Sequence, residues 1–390
     1  MKKLSALALA LILLLLPVLS FAESGAALDS EAAAQEGAEP ADAAEEWSDE
    51  PEEGAESENL TDAPEGAVSD DEAESEPTPE PIDPASVSRG AKPLYALIAR
   101  ALTLGAVPFD IEPDATTAWA LTYAALEQGV LEGMADGRVS QDALDAAYGA
   151  IFAAGSLPGM PEDFTLLKLE DGLYSVTSDP GDVGYAPYAL DAFDLDGAVS
   201  AEAAVMITTS STPQDLFALI RVALAPDAAA LFGARLSGFQ PITGAPAMTG
   251  AEATMTLPDY KGITYDAANV LDGKNDTCWA YSEDEAPGAV LTLSSVAPET
   301  VRGIRLTPAY AKNNRIALAN NRVKTVHVAL SDGASYDFTV EPDISADDFA
   351  RFTSFAFDAA HEVTWVSIEV TSVYPGDKYT DTCISEIALF

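Results

Sequence analysis

The segment YDAANVLDGKNDTCW, residues 265–279, combines a tight turn with a dense set of oxygen ligands. Asp272, Asn275 and Thr277 place side-chain and backbone oxygens close together, and Gly273 permits the bend that brings them round. A hard cation such as Ca²⁺ takes about six to eight oxygen ligands of this kind. The segment is therefore a candidate calcium loop. The alternative is an Asx turn that is held by hydrogen bonds without a metal.

Beyond this loop the chain alternates short apolar runs with turn residues, and we expect no helix of any length between them. The strand-like runs are residues 289–293, 301–307, 322–330, 335–340, 352–357, 363–371 and 384–389. Several short strands at this spacing are typical of an all-β sandwich. We therefore predict a β-sandwich over residues 258–390, with Trp279 in its core.

The same segment carries the pattern N-x-x-D-G-x-x-x-T-x-W and resembles the opening of a discoidin, or coagulation factor 5/8 type C, domain. Later segments extend the resemblance: Val301–Leu306, Tyr310, Asn320–Lys324 and Asp381–Ile387. Together they are most similar to the glycan-binding translocation domain of bacterial NAD glycohydrolases. The resemblance implies a galactose-binding-like jelly roll that binds carbohydrate. No part of the chain resembles the glycohydrolase catalytic domain.

The resemblance also implies how the candidate calcium loop is completed. In related carbohydrate-binding sandwiches a glutamate near the C-terminus joins the ligands, and Glu386 stands at the matching position, with Ser385 beside it to lend a carbonyl. The expected Ca²⁺ ligands are Asp272, Asn275, Thr277, Ser385 and Glu386. Such an ion would be structural and would hold the two ends of the domain together.

The chain has two cysteines, Cys278 and Cys383. Each lies close in sequence to an expected calcium ligand, so the two segments run side by side if those ligands share one ion. We predict a disulfide between them, because exported proteins meet oxidising conditions and this proximity suits the bond. The alternative is a pair of reduced, buried thiols near Trp279.

The sugar-binding residues are expected in segment 302–324, which has no acid although the chain has 64 Asp and Glu against 19 Lys and Arg. Amides and cations hydrogen-bond sugar hydroxyls, and aromatic rings supply an apolar face. The alternative is that the basic side chains lie on the exposed face of the strands and that Asn320–Asn321 forms a turn. We expect an acidic or neutral glycan, or a glycoconjugate, as the partner. The candidates are Tyr310, Asn313, Asn314, Arg315, Asn321 and Arg322, followed by Tyr281, Tyr374 and Tyr379.

Residues 87–245 show a helical period first and a strand period afterwards. Asp114 and Ser140 precede apolar stripes, as N-caps do, and Asp171-Gly172 and Asp196-Gly197 suit type I′ hairpin turns. We therefore predict an α+β domain with helices followed by an antiparallel sheet. A Gly- and Pro-rich stretch over residues 240–260 would join it to the sandwich.

No catalytic constellation is visible in this middle domain, so we expect a binding protein that is not an enzyme. The two histidines, His327 and His361, lie outside residues 87–245. Two other functions stay open: an enzyme with an unrecognised active site in residues 87–245, and a structural envelope protein that binds another protein. The middle domain also contains a group of five acids: Asp179, Asp182, Asp191, Asp194 and Asp196. A metal site, paired carboxylates or turn chemistry would each explain this group, and we prefer turn chemistry.

The N-terminal part predicts export. Residues 1–22 combine two lysines, an apolar run and small residues before a cut, which is the pattern of a secretory signal peptide; an uncleaved anchor is the alternative. Residues 23–86 hold 23 Asp and Glu and no Lys or Arg, so we expect a disordered acidic linker. The net charge of −45 disfavours nucleic acid and anionic lipid as partners. We expect a secreted or cell-envelope protein of bacterial type that does not insert into a membrane once the signal is removed.

Overall fold

The computed structural model describes residues 82–177, 183–208, 214–282 and 288–390. The expected signal peptide and nearly all of the expected acidic linker lie outside these ranges. Within them, no helix is both long and apolar enough to span a membrane.

Helices form the first part of the described chain: α1 Pro84–Gly90, α2 Lys92–Thr103, α3 Ala115–Glu127 and α4 Gln141–Ile151. The predicted N-caps of α3 and α4 are confirmed, because the Asp114 carboxylate accepts from the backbone N–H of Thr117 and the Ser140 hydroxyl accepts from that of Ala143. Asp83 caps α1 in the same way, so this helix begins inside the last residues that the sequence assigns to the linker.

Two antiparallel sheets accompany the helices, and the first two strands of the smaller one lie between α3 and α4. The smaller contains Met134–Ala135 (β1), Arg138–Val139 (β2), Leu167–Glu170 (β3) and Leu173–Val176 (β4), in the order β1-β2-β4-β3. The larger is a meander of Gly184–Leu195 (β5), Ala198–Thr208 (β6), Asp215–Pro226 (β7) and Ala234–Pro241 (β8). Asp171 and Asp196 both have φ of 52°, and Gly172 and Gly197 have φ of 81° and 86°. Positive φ at both central residues is what a type I′ turn requires, so both hairpin predictions are confirmed.

Both faces of the meander are covered. One face packs against the helices through Ala201, Ala203 and Val205 of β6, which share the core of α2, α3 and α4. The opposite face carries Ala204 and Met206 of the same strand. Strand alternation therefore divides β6 between two cores, and the second of these faces the C-terminal part of the chain.

The C-terminal part is a β-sandwich with two short helical segments, the 3₁₀-helix Ala267–Leu271 and α5 Asn314–Ala319. Its strands are Gly250–Ala253 (β9), Trp279–Ser282 (β10), Val290–Thr307 (β11), Arg322–Leu330 (β12), Ser335–Thr339 (β13), Thr353–Tyr374 (β14), Asp381–Ile384 (β15) and Glu386–Leu389 (β16). The main sheet has the order β13-β12-β14-β11-β16, with β9 on the other half of β11, and β10 pairs with β15. The predicted order of an α+β region followed by an all-β sandwich is confirmed.

Three details differ from the sequence prediction. The sandwich begins before residue 258, because β9 pairs with β11 from Ala253–Leu291 to Gly250–Ser294. A helix does intervene, because the Asn313 side chain accepts from the N–H of Ile316 and so starts α5. The runs 301–307 and 363–371 are each the second half of one long strand, β11 and β14, and not separate elements.

Charged and apolar contacts join the meander to the sandwich. Glu202 of β6 is buried and accepts hydrogen bonds from Arg221 of β7 and, at 2.7 Å, from Nε of Arg302 in β11. Asp215 of β7 pairs with Arg305 at 3.1 Å. Beside these pairs, a second small core gathers Ala204, Met206, Leu219 and Phe390.

Candidate functional site

The loop that contains α5 is built on buried polar residues. The Asn321 amide is 6 % exposed; its nitrogen donates to the carbonyl of Thr380 at 2.9 Å, and its oxygen accepts from the N–H of Gly376 at 2.9 Å. Arg322 is 7 % exposed and donates to Asp343 at 2.8 Å. These two predicted glycan ligands therefore hold the loops in place, and neither faces solvent.

A second loop, residues 375–380, closes onto the end of α5. The backbone N–H groups of Lys378 and Tyr379 donate to the Ala319 carbonyl at 3.1 and 2.8 Å. A Cβ added at Gly376 would lie 2.5 Å from the carbonyl oxygens of Ala319 and Tyr379, so only glycine permits this approach. The contacts fix the exposed side chains of Lys378 and Tyr379 beside α5.

The buried cluster under α5 connects to a tight hairpin. Ile316 packs against the buried cluster of Cys278, Cys383 and Tyr310, to which Tyr265 also belongs. Just before Tyr265, the backbone groups of Tyr260 and Ile263 exchange two hydrogen bonds of 3.0 Å. The turn between them presents the Tyr260 ring and Lys261 to solvent, with the Lys261 ammonium 5.0 Å from the ring centroid.

We call the exposed residues of α5, of the loop bonded to its end and of the Tyr260–Ile263 hairpin the α5 surface. Tyr260 and Tyr379 are 57 % and 45 % exposed, and Lys378 lies 4.9 Å from the Tyr379 ring centroid. The members of the α5 surface are Tyr260, Lys261, Lys312, Asn314, Arg315, Lys378 and Tyr379. Asn314 and Arg315 are among the candidates that the sequence predicts, whereas Tyr260, Lys261 and Lys378 are not.

The other predicted sugar ligands have packing roles. Tyr310 is buried and its hydroxyl donates to the carbonyl of Asp276 at 3.1 Å; burial raises its pKa well above the ordinary value. Asn313 caps α5. Tyr281 is buried against Trp279 with ring centroids 5.1 Å apart, and the Tyr374 hydroxyl donates to Val340. Trp279 lies in the core as predicted.

The structure brings all five expected calcium ligands together. The backbone N–H of Lys274 donates to Asp272 at 2.9 Å and to Glu386 at 2.6 Å, although these carboxylates come from opposite ends of the domain. The Thr277 hydroxyl lies 3.0 Å from both Asp272 oxygens. The Ser385 hydroxyl donates toward the carbonyls of Thr277 and Asn275 at 2.9 and 3.3 Å.

The donor set fits a hard cation. Burial and the neighbouring Asp272 carboxylate raise the pKa of Glu386 to about 8, because two carboxylates held together repel unless a proton or a cation lies between them. The Thr277 hydroxyl contacts Asp272, and the Ser385 hydroxyl holds the carbonyls of Asn275 and Thr277 in the same loop. The described residues include no group of three or more His, Cys, Asp and Glu placed to hold a metal, so these neutral oxygens would have to complete the shell.

Cys278 and Cys383 are buried free thiols that contact each other. The hydrogen bond with Cys278, together with burial, raises the pKa of the Cys383 thiol well above the ordinary value. The register pairs Ala280 with Cys383, which places Cys278 diagonally across from Cys383. Diagonal neighbours have Cα atoms about 7–8 Å apart, beyond the range of about 4.4–6.8 Å for a disulfide, so the bond would require a small backbone shift. The disulfide stays a prediction, and the closeness of the two segments is observed.

The acidic group in the meander shows turn and packing contacts where it is described. Asp194 accepts from the N–H of Gly197, as turn chemistry predicts, and Asp191 accepts from the N–H of Ala360 in the sandwich. Asp179 and Asp182 lie outside the described residues. His327 and His361 both belong to the sandwich, where they contact Asp337 and Asp332.

Comparison with known proteins finds similarity to part of this chain. Solved structures similar to part of this chain include the CBM32 of AlyQ in complex with 4,5-unsaturated mannuronic acid (16 % identity, 38 % of this chain and 98 % of that chain, TM-score 0.28). Others are the family 32 CBM from C. perfringens NanJ in complex with galactose (16 %, 36 % and 91 %, 0.27) and an F5/8 type C domain from Bacteroides fragilis (15 %, 38 % and 97 %, 0.29). No curated protein matches the chain. Residues 244–390 match the family model described as the NAD glycohydrolase translocation F5/8 type C domain, which confirms the predicted resemblance for this part of the chain.

Proposed function

We propose that this protein is a secreted carbohydrate-binding protein that adheres to glycans through the α5 surface and catalyses no reaction. The family match of residues 244–390 supports a binding domain of the F5/8 type C kind. The adhesion role, the export and the lack of catalysis belong to the proposal.

The observation that carries the proposal is a pair of exposed tyrosines: Tyr379 in the loop bonded to the end of α5, and Tyr260 in the hairpin before Tyr265. Tyr260 and Tyr379 each offer an apolar ring face with a lysine beside it. On α5 itself, Asn314 and Arg315 are exposed. Binding sites combine apolar faces with a few placed polar groups, and rings with neighbouring amides and cations suit the CH faces and hydroxyls of a sugar.

We also propose that Ca²⁺ binds as a structural ion at Asp272, Asn275, Thr277, Ser385 and Glu386. When bound, it would neutralise the Asp272–Glu386 pair and hold the two ends of the domain together. The loop lies next to the α5 surface in the fold, because Asp276 accepts the hydrogen bond of Tyr310, which packs under α5.

The middle domain is proposed to support the sandwich. Glu202 and Asp215 hold Arg302 and Arg305 of β11, so two cations of the predicted sugar-binding segment are used in this contact. An enzyme with its active site in residues 87–245, or an envelope protein that binds another protein, are the competing functions that an experiment has to separate.

A glycan array probed with the full-length exported protein tests the proposal. We expect binding to a defined set of glycans, and we expect the double variant Tyr260→Ala, Tyr379→Ala to lose most of it. Tyr188→Ala is the matched control, because Tyr188 is an exposed tyrosine on β5 of the middle domain.

Each outcome is decisive. No glycan binding by a folded protein would reject the carbohydrate function and favour the protein-binding alternative. Equal losses in the double variant and in Tyr188→Ala would reject the α5 surface as the site. Turnover of a bound glycan by the full chain would reject the non-catalytic role.

A further inference from the structure

Resting on the proposed glycan site, we propose that its ligand is an anionic glycan, one that carries carboxylate or sulfate groups. The inference comes from the distribution of the positive charges and not from the tyrosines. It names the ligand class that the α5 surface selects.

Basic side chains in this acidic protein are mostly paired. Across the described ranges, the Lys and Arg residues that form ion pairs are Arg89, Arg100, Lys168, Arg221, Arg235, Lys274, Arg302, Arg305, Arg322 and Arg351. Those that form none are Lys92, Arg138, Lys261, Lys312, Arg315, Lys324 and Lys378. All but the first two of this second group lie on the α5 surface or next to it.

These cations are held by fixed backbone. Arg315 lies in the first turn of α5, which Asn313 caps, and Lys378 lies in the loop that Ala319 and Asn321 fasten. Lys324 lies at the start of β12, with its ammonium 5.6 Å from the Tyr374 ring. The fixed backbone keeps the cations at set positions, so no loop has to be ordered when an anion contacts several of them.

The acidic residues of the same region limit how the ligand is bound. Asp259 and Asp377 are exposed in the two flanking loops, and the whole chain has a net charge of −45. Long-range attraction for an anion is therefore weak, but charges beyond about 8–10 Å are screened at physiological salt. Recognition would come from direct, charge-assisted hydrogen bonds between guanidinium or ammonium groups and the anionic group.

Anionic and neutral glycans differ in the counter-charge that they supply to these cations. A neutral sugar would cover these cations without giving them a counter-charge. A carboxylated or sulfated sugar supplies the partner that the described residues do not. The same surface therefore discriminates by charge on a common sugar scaffold.

The test compares ligands that differ only in charge, using the full-length protein and isothermal titration calorimetry. The probes are galacturonan oligosaccharides and sialyllactose, each compared with its own methyl ester. We expect at least one charged member to bind about tenfold or more tightly than its neutral counterpart. Arg315→Gln and Lys378→Gln should each remove much of that difference.

Lys92→Gln is the matched control, because Lys92 is an exposed, unpaired cation on α2. Binding of neutral glycans that is as tight as that of charged ones would overturn the inference and leave the proposed function intact. Absence of binding to any glycan on the array would instead reject the proposed function. A charge preference that Arg315→Gln and Lys378→Gln change no more than Lys92→Gln does would also overturn the inference.

Discussion

At the scale of single residues, Asp272 and Glu386 share one backbone N–H, and this contact makes the calcium proposal testable. A ligand that binds only the folded state stabilises it by about 2.7 kcal/mol at 100 times its Kd. Added Ca²⁺ should therefore raise the melting temperature, measured by calorimetry. Asp272→Asn and Glu386→Gln should each abolish the increase.

Asp276→Asn is the control for this experiment, because Asp276 is an exposed acid in the same loop and lies outside the ligand set. It should keep the calcium response. A melting temperature that is unchanged by a chelator would favour the Asx turn without metal.

The thiol pair gives a second prediction at this scale. We expect non-reducing peptide mapping of the exported protein to recover Cys278 linked to Cys383. The reaction would remove both thiol protons and pass two electrons to an oxidant such as a thiol–disulfide oxidoreductase. Closing this long loop would add up to about 4–5 kcal/mol of stability, less the strain of the diagonal geometry. Two free thiols in the exported protein would show that the reduced pair is the native state.

Residue types predicted chemistry better than they predicted exposure. Turn residues and a carboxylate at 272–277 are a local signal, and the resemblance added Ser385 and Glu386; the structure places these residues close together, and the ion stays a proposal. It assigned Asn321 and Arg322 to sugar because amides and cations look alike whether they are exposed or buried. Their burial depends on Thr380 and Asp343, which lie far away in sequence. The missed residues are Tyr260, Lys261 and Lys378. Each lies in a turn sequence next to a tyrosine or a lysine, and that signal was available.

At the scale of elements, α5 and loop 375–380 depend on one amide. Asn321→Ala removes two buried hydrogen bonds, so we expect the free energy of unfolding to fall by about 2–3 kcal/mol in urea denaturation. The control Asn314→Ala, at an exposed position of α5, should change it by about 0.5 kcal/mol or less. Equal effects of the two substitutions would show that the Asn321 hydrogen bonds do not hold the loops.

The periodicity of the sequence predicted which segments are helices and which are strands. It did not predict where one strand ends and the next begins. Both type I′ hairpins and both helix caps were predictable, since they are encoded within a few residues. The sequence between the two halves of β11 includes Pro298 and reads as a turn, yet the strand continues through a register shift against β14. The six-residue α5 has too few turns to show a period, and only its cap at Asn313 marks it.

At the scale of the whole molecule, Glu202 links the middle domain to the sandwich. Burial alone would raise its pKa, but hydrogen bonds and charges from Arg302 and Arg221 outweigh this effect and lower it. The pKa in the folded state is thus below the unfolded value of about 4.3. Glu202 therefore stabilises the fold above that pH, and its contribution is lost as the pH falls through the lowered pKa.

We expect Glu202→Gln to reduce stability at neutral pH by about 1–3 kcal/mol and to flatten the acid branch of a stability–pH curve. Glu362→Gln is the control, because Glu362 is exposed and forms no ion pair within the described ranges. Parallel stability–pH curves for the parent and Glu202→Gln proteins would show that this contact does not determine the loss of stability at low pH. The contact joins residues 100 positions apart, so no local pattern could have predicted it.

The small core around Phe390 has a consequence for reuse of the domain. If residues 250–390 were excised as a lectin reagent, Phe390 would lose its cover of Ala204, Met206 and Leu219, and Arg302 and Arg305 would lose their carboxylates. The fragment would expose an apolar, positively charged surface that the meander covers in the longer chain. It would bind acidic and apolar surfaces indiscriminately, and its array signals would mislead. A fragment that is to be reused as a binding reagent should therefore include the meander as well as the sandwich.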